Sequence, residues 1–383
     1  MNKQVNLQKY SKRVVNLTAS PIREMLSVIH RKGMISFAGG LPSADSFPEF
    51  SLENIPRSSL QYGASEGDDF LREQVSTELQ ELGLNCSKDQ VIILSGSQQG
   101  LDLVGKLMID EGTEVMVESP TYLAALQVFR FFGAKFKSFP IADVSNIEIG
   151  NVKPAFLYAI PTFQNPSGHC YSQSERMALA KFCDEHSIPL LEDDPYRDLS
   201  FDDSYRQPVS SLLKKADWIY QGSFSKNLAP GLRLGYMAAS SELMPYIVRL
   251  KQAADLHSNR LSQWLVSQQL LSSNRTQRME DLIASYREKR NAFNGALERH
   301  FGQIATWQKP NGGLFFWLQL KKKIDTRSLL AKAIEQNLIF MPGEYFYANV
   351  NDGIGTMRLN FSLASVDEME IGLKRLAELI KGN

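Results

Sequence analysis

The feature that most constrains the fold is a series of short apolar runs between residues 91 and 240. The runs are VIILSG (91–96), EVMVESP (114–120), AFLYAIP (155–161), IPLLEDDP (188–195), WIYQGSF (218–224) and LGYMAAS (234–240). Each run is bounded by turn residues, and helical stretches lie between them. This arrangement is typical of a buried parallel sheet. We therefore expect an α/β domain in this part of the chain.

The residues before and after these runs predict different structures. SPIRE (20–24) is typical of a helix start, because Ser20 can cap it and Pro21 suits the first turn. After residue 240 the strands stop and a long helix is expected. Its apolar face comprises Met279, Leu282, Ile283, Tyr286, Phe293 and Leu297. Short strands are then predicted at FFWLQL (315–320), LIFMPG (338–343) and TMRLNFS (356–362), before a closing helix over 366–381.

The length of 383 residues is too great for one compact core, so more than one domain is expected. We predict an N-terminal arm and helix over residues 1–45, a large domain over 46–280 and a small C-terminal α+β domain over 281–383. The boundary between the two larger units is placed within the long helical region, where the sequence contains no polar linker.

The charge balance and the rare residues exclude several classes of protein. Lys plus Arg and Asp plus Glu both total 42, so the net charge is zero and no basic footprint for nucleic acid is expected. The polar N-terminus does not resemble a signal peptide, and no apolar run predicts a membrane helix. The scattered cysteines predict a reducing compartment, with the cytoplasm as the simplest location. The five histidines lack ligand spacing, so no metal site is expected.

The residues that follow the strands are the candidates for function, since ligands bind at the carboxyl ends of parallel strands. In the first run, VIIL is followed by Ser-Gly-Ser-Gln-Gln at residues 95–99, which open a helical stretch. Such a turn directs backbone N–H groups at an anion, although many strand–helix turns look alike. After the third run, Asn165 precedes Pro166; its side chain can face a ligand oxygen or cap the turn.

Carboxylates end the fourth run, where IPLL is followed by Glu192-Asp193-Asp194 before Tyr196. Carboxylates at the end of a buried strand cost free energy unless they meet a partner. Two interpretations are open here: the carboxylates bind a ligand, or they cap the start of a helix.

The segment QGSFSKNLAPGLRLGY (221–236) begins at the end of the fifth run and contains Lys226 among hydroxyl residues, with Arg233 after it. Hydroxyls and an arginine can cradle an anion, and a lysine beside them can capture an aldehyde. An ordinary surface loop would contain the same residue types. A phosphate cradle, a lysine, a carboxylate and an Asn–Tyr pair at one sheet edge together match the needs of pyridoxal 5′-phosphate.

These motifs resemble fold-type I pyridoxal-phosphate aminotransferases, in the branch that contains α-aminoadipate and kynurenine aminotransferases. The matching segments, in the family's order, are SPIRE, SFAGGLPS, LQYGASEGDDFLRE, ILSGSQQGLDL, VESPTYLAAL, PTFQNPSG, LEDDPYRDL, GSFSKNLAPGLRLGY, NGGLFFWL, MPGEYF and RLNFS. The resemblance implies an aspartate aminotransferase-like fold. It has a large cofactor-binding domain with a mostly parallel seven-stranded sheet flanked by helices, and a smaller α+β domain.

The resemblance also implies roles in holding the cofactor. Lys226 would be the Schiff-base lysine and the base that moves the substrate proton. Asp193 would pair with the ring nitrogen, whereas Asp194 would not reach the ring. Asn165 and Tyr196 would bind the phenolic oxygen of the ring, and Tyr122 would stack on the ring face. The phosphate would be held by Ser97, the backbone of Gln98, Ser223, Ser225 and Arg233.

Three further positions concern the substrate and a second subunit. Arg358 would bind the substrate α-carboxylate, with Asn165 beside it, and Gly40 would leave room for the substrate. Tyr62 would reach the phosphate of the neighbouring subunit, which implies a homodimer. Arg23 has two interpretations, contact with the distal carboxylate of a dicarboxylic substrate or a surface ion pair with Glu24.

The resemblance implies transfer of the amino group of an L-α-amino acid to a 2-oxo acid such as 2-oxoglutarate. Broad specificity for aminoadipate, aromatic and branched-chain donors is expected. Phe37, Leu41 and Phe346 are apolar and would favour aromatic or aliphatic substrate side chains; the alternative is that they are ordinary packing residues. One alternative is a pyridoxal-phosphate lyase on the same fold. The other is a non-enzymatic effector-binding module, which in bacterial regulators follows a DNA-binding domain.

Overall fold

The structure is a computed structural model that describes residues 10–16 and 31–382. The predicted helix start at 20–24, with Arg23, lies outside the described residues. Within these ranges, no helix has both the length and the apolar composition required to cross a membrane.

The strands of the described residues form three sheets of seven, four and two strands. The bounds, in chain order, are β1 Ile35–Ser36, β2 Val91–Leu94, β3 Glu114–Ser119, β4 Lys135–Pro140, β5 Leu157–Ala159, β6 Leu190–Asp193, β7 Trp218–Ser223, β8 Gly235–Ala239, β9 Ala305–Trp307, β10 Phe315–Leu320, β11 Leu338–Ile339, β12 Met341–Pro342 and β13 Thr356–Asn360.

The α-helices lie between and after these strands. Their bounds are α1 Asp69–Glu81, α2 Ser97–Met108, α3 Leu123–Phe132, α4 Gln173–His186, α5 Met244–Asp255, α6 Arg260–Leu270, α7 Arg275–Phe301, α8 Thr326–Glu335 and α9 Val366–Lys381. The closing helix therefore has the bounds that the sequence predicts.

The large sheet has seven strands in the order β2-β8-β7-β6-β5-β3-β4. Strand β8 is antiparallel to both of its neighbours, and the pairs from β7 to β4 are parallel. Each of the six apolar runs contains one strand of this sheet. The predicted fold class is confirmed, with one antiparallel strand in the sheet.

The seventh strand, β4, was not among the predicted runs. Its sequence is KFKSFP, in which the two phenylalanines are flanked by lysine, serine and proline, and only one of its residues is buried. Strand β4 pairs only with β3, so it is an edge strand within the described sheet. Charged residues are common on edge strands, because they discourage pairing with other chains. A search for continuous apolar runs misses such a strand.

Alternate strand residues pack on opposite faces of the large sheet, as the two-residue period of a strand requires. Ile92 and Leu94 contribute to one core, which α2, α3 and α5 cover. Val91 and Ile93 contribute to a core on the other face, under α1 and α6. Helix α4 covers a further core on that side of the sheet. The sheet is thus buried on both faces, and its carboxyl edge is where polar groups can gather.

The C-terminal region has its own core, built on a four-stranded antiparallel sheet in the order β12-β13-β10-β9. Helices α7, α8 and α9 pack against this sheet, and the six predicted apolar residues of α7 all belong to the cluster. The prediction of one strand over 338–343 was wrong. Strand β11 pairs with β1 in a separate two-stranded sheet, and β12 pairs with β13, with the buried Phe340 between them.

Helix α7 runs without interruption from Arg275 to Phe301, across the boundary predicted between residues 280 and 281. The proposed division into an arm, a large domain and a small domain stays a prediction from the sequence. The large sheet, the small sheet and the strand pair β1–β11 are the structural facts on which the site depends.

Candidate active site

Polar residues from separate segments meet at the carboxyl edge of the large sheet. Strand β2 leads into the turn at residues 95–97, β3 leads to Tyr122, β5 leads to Asn165, β6 ends at Asp193 and β7 ends at Ser223. Because β8 is antiparallel, Arg233 enters the same edge just before that strand begins. The arrangement matches the general rule that ligands bind outside the carboxyl ends of the strands.

These residues line one cavity of about 150 Å³. Every lining residue except Ile160 and Pro195 is a predicted cofactor residue. The complete set is Ser97, Gln98, Tyr122, Ile160, Asn165, Asp193, Pro195, Tyr196, Ser223, Ser225, Lys226 and Arg233. A larger groove, about 930 Å³, lies between residues 43–51 and the first half of α7, and none of the predicted cofactor residues lines it.

Asp193 presents a buried carboxylate with one oxygen free among the described residues. The Tyr158 hydroxyl donates to Oδ2 at 2.8 Å, whereas Oδ1 has no hydrogen-bond partner there. Burial is the main cause that raises the pKa of Asp193 to about 6, a value that includes opposing effects of Gln221 and Tyr158 and a small further rise from Asp194. Gln221 lies near enough for this effect, but its amide is not in hydrogen-bond geometry. A buried acceptor without a donor is suited to an N–H group of a ligand.

Lys226 places its amine in the same cavity. Its Nζ donates to the Gly40 carbonyl at 2.7 Å, across 186 residues of sequence. Burial, with a smaller contribution from the cations of Arg358 and Arg233, lowers the pKa of Lys226 to about 8. A lysine with this pKa supplies more neutral amine near pH 7 than an exposed lysine, and only the neutral amine attacks a carbonyl or takes up a proton.

The anion end of the cavity depends on close packing of the turn before α2 against Arg233. A Cβ at Gly96 would lie 2.6 Å from Arg233 Nη2, and Gly96 has a φ of +82°. A Cβ at Gly235 would lie 2.9 Å from the backbone nitrogen of Ser97. The first N–H groups of a helix lack partners within the helix. The glycines therefore let the Arg233 guanidinium and the first N–H groups of α2 lie close enough together to bind one anion.

Arg358 lies beside the cavity, on β13 of the small sheet. Its Nη1 donates to Asn165 Oδ1 at 2.8 Å, and its Nη2 donates to the Ala38 carbonyl at 2.6 Å. The guanidinium carbon lies 4.0 Å from the ring centre of Phe315 and 5.0 Å from that of Phe346. Burial lowers the pKa of Arg358 to about 10, so the side chain stays charged at neutral pH. Stacking and hydrogen bonding fix the plane of this cation.

Two tyrosines complete the walls of the cavity. Tyr122 immediately precedes α3, and burial raises its pKa to about 12. Tyr196 packs edge-to-face on Phe315, with ring centres 5.6 Å apart, and burial raises its pKa as well. Both hydroxyls therefore stay protonated at neutral pH and can donate hydrogen bonds.

Other predicted residues lie outside this cavity. Tyr62 is 76 % exposed and packs edge-to-face on His257. The nearest side chain to a Cβ at Gly40 would be Phe315, at 3.2 Å, so this glycine also makes room for an aromatic ring. Asp194 lies on the other side of its strand, where Tyr220 donates to it at 2.8 Å. Arg23 lies outside the described residues.

Sequence reasoning missed the residues that support the predicted ones. Tyr158 is one aromatic in an apolar strand, and only the pairing of β5 with β6 shows that it adjoins Asp193. The Ala38 carbonyl and the Phe315 ring lie far from Arg358 in the chain. None of these positions carries a local signal. The candidate substrate residue Phe37 is fully buried against Phe293 in the C-terminal core, where it acts as a packing residue.

The fold and the cavity define an α/β protein that can hold a small anionic ligand, with an amine on one side and an unpaired carboxylate oxygen on the other. Residues 36–376 match the model of the family "Aminotransferase class I and II". The chain belongs to the class I and II aminotransferases, as its motifs predict.

Individual relatives cover almost the whole chain. The sequence is 37 % identical to the 2-aminoadipate transaminase of Thermus thermophilus, over 98 % of this chain and 97 % of the relative. It is 34 % identical to the aromatic-amino-acid aminotransferase 1 of Thermococcus litoralis, over 98 % and 95 % of the two chains. The crystal structure of the α-aminoadipate aminotransferase of Thermus thermophilus, complexed with N-(5′-phosphopyridoxyl)-L-leucine, superposes with a TM-score of 0.89, at 35 % identity and 98 % coverage of both chains.

The lowered pKa of Lys226 predicts a pH-dependent cost in stability for the cofactor-free protein. The Lys226 pKa is about 8 in the folded chain, whereas its ordinary value, expected in the unfolded chain, is 10.5. The cost is therefore complete below pH 8 and disappears as the pH rises toward 10.5. In urea unfolding, Lys226→Met should stabilise the protein by about 2 kcal/mol near pH 7. Removing the buried cation gains about 3 kcal/mol, and losing its hydrogen bond costs about 1 kcal/mol.

This advantage should shrink by about 2 kcal/mol between about pH 7 and about pH 9.5, because the wild-type amine loses its proton in that range. Lys181→Met is the matched control, since the Lys181 side chain is 73 % exposed. Its difference from the wild type should stay constant with pH. A stabilisation by Lys226→Met that is equally constant would contradict the buried-cation interpretation.

Proposed function

We propose that the protein transfers the amino group of an L-α-amino acid to a 2-oxo acid such as 2-oxoglutarate, with pyridoxal 5′-phosphate as its cofactor. The single observation that carries this proposal is the position of Lys226 and Asp193 in one buried cavity. The amine and the unpaired carboxylate oxygen suit the aldehyde and the ring nitrogen of this cofactor. Membership of the aminotransferase family supports the same conclusion.

The cavity residues fit the cofactor group by group. Asp193 would accept a hydrogen bond from the protonated ring nitrogen through Oδ1, and Tyr122 would cover one face of the ring. Asn165 and Tyr196 would contact the ring oxygen. The phosphate would be bound by Ser97, the backbone of Gln98, Ser223, Ser225 and Arg233. When bound, the cofactor takes up the amino group and its protonated ring accepts the electrons released when the α-proton leaves.

Lys226 would act as the base that moves the α-proton. A base works best when its pKa lies near the pH at which the enzyme operates, and the pKa of about 8 meets this condition. The hydrogen bond from Nζ to the Gly40 carbonyl keeps the amine inside the cavity before substrate arrives.

Arg358 would hold the substrate α-carboxylate. A guanidinium has five N–H donors; the Asn165 oxygen and the Ala38 carbonyl accept two of them, and the donor on Nε has no partner among the described residues. Enough donors remain for a bidentate contact with a carboxylate. With the carboxylate fixed on one side and the phosphate on the other, the α-proton would be directed at Lys226.

The substrate range is proposed to be broad, with aminoadipate, aromatic and branched-chain amino acids as donors. The relatives named as a 2-aminoadipate transaminase and an aromatic-amino-acid aminotransferase support this range. Arg23 would recognise a distal carboxylate. We also propose a homodimer in which the exposed Tyr62 reaches the phosphate of the neighbouring subunit, and a cytoplasmic location.

Lys226→Ala tests the proposed chemistry. Wild-type protein mixed with pyridoxal 5′-phosphate should absorb visible light, and borohydride should fix the cofactor on the peptide that contains Lys226, as detected by mass spectrometry. The variant should lack this adduct and lose transamination by at least about 10³-fold, since it has no base. Lys181→Ala should behave as the wild type. An adduct on a different lysine would reject the assignment.

Arg358→Ala tests the carboxylate contact. The variant should still bind the cofactor and absorb visible light, but kcat/KM for amino donors should fall at least about 100-fold, because two charged hydrogen bonds are lost. Arg249→Ala, on the exposed side of α5, is the control and should change kcat/KM less than about twofold. Equal values for the two variants would exclude Arg358 from substrate binding.

Arg23→Ala tests the basis of specificity. With 2-oxoglutarate as acceptor, kcat/KM should be measured for a panel of donors that includes aminoadipate and leucine. The kcat/KM for aminoadipate should fall about tenfold, the equivalent of one charged contact with the distal carboxylate, and the kcat/KM for leucine should not change. A parallel loss for both donors would show that Arg23 acts through the fold instead of through the distal carboxylate.

A further inference from the structure

We propose that Lys251 and Asp255, at the end of α5, position the turn before α2 and thereby set the affinity for the cofactor's phosphate group. Neither residue lines the cavity. Both act through Ser95 and Gln99, which flank that turn. The inference rests on the proposed function, because it assigns a task to residues behind the proposed phosphate site.

Lys251 is the centre of the arrangement. Its side chain is fully buried, and its Nζ donates to Gln99 Oε1 at 2.8 Å and to Asp255 Oδ1 at 2.9 Å. A buried ammonium is costly unless its donors are satisfied by acceptors of this kind. Burial lowers the pKa of Lys251, and the contacts with Asp255 oppose that shift. For Asp255, the hydrogen bonds outweigh burial and keep its pKa low.

The turn itself is held at both ends by this pair. Gln99 Oε1 accepts from the backbone nitrogen of Ser95 at 2.9 Å, and Gln99 Nε2 donates to Asp255 Oδ2 at 2.7 Å. Ser95 Oγ donates to the same oxygen at 2.7 Å. Ser95 and Gln99 enclose the three residues 96–98, of which Ser97 and Gln98 line the cavity. Moving either end would therefore move the N–H groups proposed to bind phosphate.

The acidic end of the pair is fixed by the backbone that follows it. The His257 nitrogen donates to the Asp255 carbonyl at 2.8 Å, and Leu256 between them has φ +66° and ψ −61°. This is the rare γ-turn geometry that costs energy for a residue with a side chain. Ser258 is fully buried, and its Oγ donates to the Ile93 carbonyl in β2. The segment is thus attached to the strand that leads into the turn.

The arrangement has a geometric consequence for the phosphate site. Without the ammonium, Gln99 Oε1 and Asp255 Oδ1 would lose the donor that they share, and only the contacts with Ser95 and between Gln99 Nε2 and Asp255 would remain. The Gln99 side chain, and with it the acceptor of the Ser95 N–H, would then be held less firmly. Positioning of this kind alters binding of the phosphate group, whereas a purely structural role would alter stability without regard to that group.

Lys251→Met tests the proposal in the cofactor-free protein. Binding of pyridoxal 5′-phosphate and of pyridoxal, which lacks the phosphate, should be titrated by visible absorbance. For Lys251→Met the dissociation constant for pyridoxal 5′-phosphate should rise about tenfold, the equivalent of one weakened charged hydrogen bond, and that for pyridoxal should change less than twofold. Lys106→Met is the matched control, because Lys106 forms the same i,i+4 contact with Asp102 on the exposed side of α2.

Ser95→Ala is the second variant, because it removes one hydroxyl and leaves the buried pair intact. It should weaken pyridoxal 5′-phosphate binding in the same direction, by a smaller factor, and should settle the matter if Lys251→Met does not fold. Equal weakening of both ligands, or no weakening of either, would overturn the proposal. If the wild type fails to bind pyridoxal 5′-phosphate at all, the proposed function is the part that fails.

Discussion

The structure depends on the burial of charges of both signs at one edge of a sheet. Lys226 is a half-buried cation, Arg358 is a buried one beside it, and Asp193 is a buried carboxylate. Burial shifts the pKa of each toward the neutral form, because a charge loses hydration free energy in a dry cavity. Backbone carbonyls and the Tyr158 hydroxyl offset only part of this cost. A ligand with a protonated ring nitrogen and two anionic ends would satisfy what remains.

Much of the large sheet and of the cavity could be predicted from the sequence, for a reason of geometry. Each strand of a doubly covered sheet is a continuous apolar run, so the residue at its carboxyl end is visible in the sequence. Asn165, Asp193 and Lys226 each follow such a run. Residues that follow parallel strands must gather at one edge, whatever the pairing order. The edge strand β4 breaks the pattern, because lysines alternate with its apolar residues.

The remainder of the site depends on contacts between distant parts of the chain. Tyr158 supports Asp193 only because β5 and β6 are neighbours in register, and Arg358 is oriented by the Ala38 carbonyl, 320 residues away. Such partners are chosen by topology, and nothing in the surrounding sequence marks them. The choice between Asp193 and Asp194 as the residue that faces the cavity could be predicted only in part. Strand alternation guarantees that they face opposite sides, but only the structure shows which side holds the cavity.

Backbone strain shows where the fold has given up stability for function. Among the described residues other than glycine, Asn54, Ser187 and Asn337 have positive φ, and the last two follow helix ends, where this geometry is common. Three bulky residues share the geometry: Phe163, Arg233 and Leu256. Phe163 lies two residues before Asn165, Arg233 lines the anion end of the cavity, and Leu256 follows Asp255. Each costs about 1–3 kcal/mol, which interactions elsewhere in the structure must offset. The costly geometries thus coincide with the segments that position the ligand groups, as expected if the surrounding structure holds those segments in place for binding.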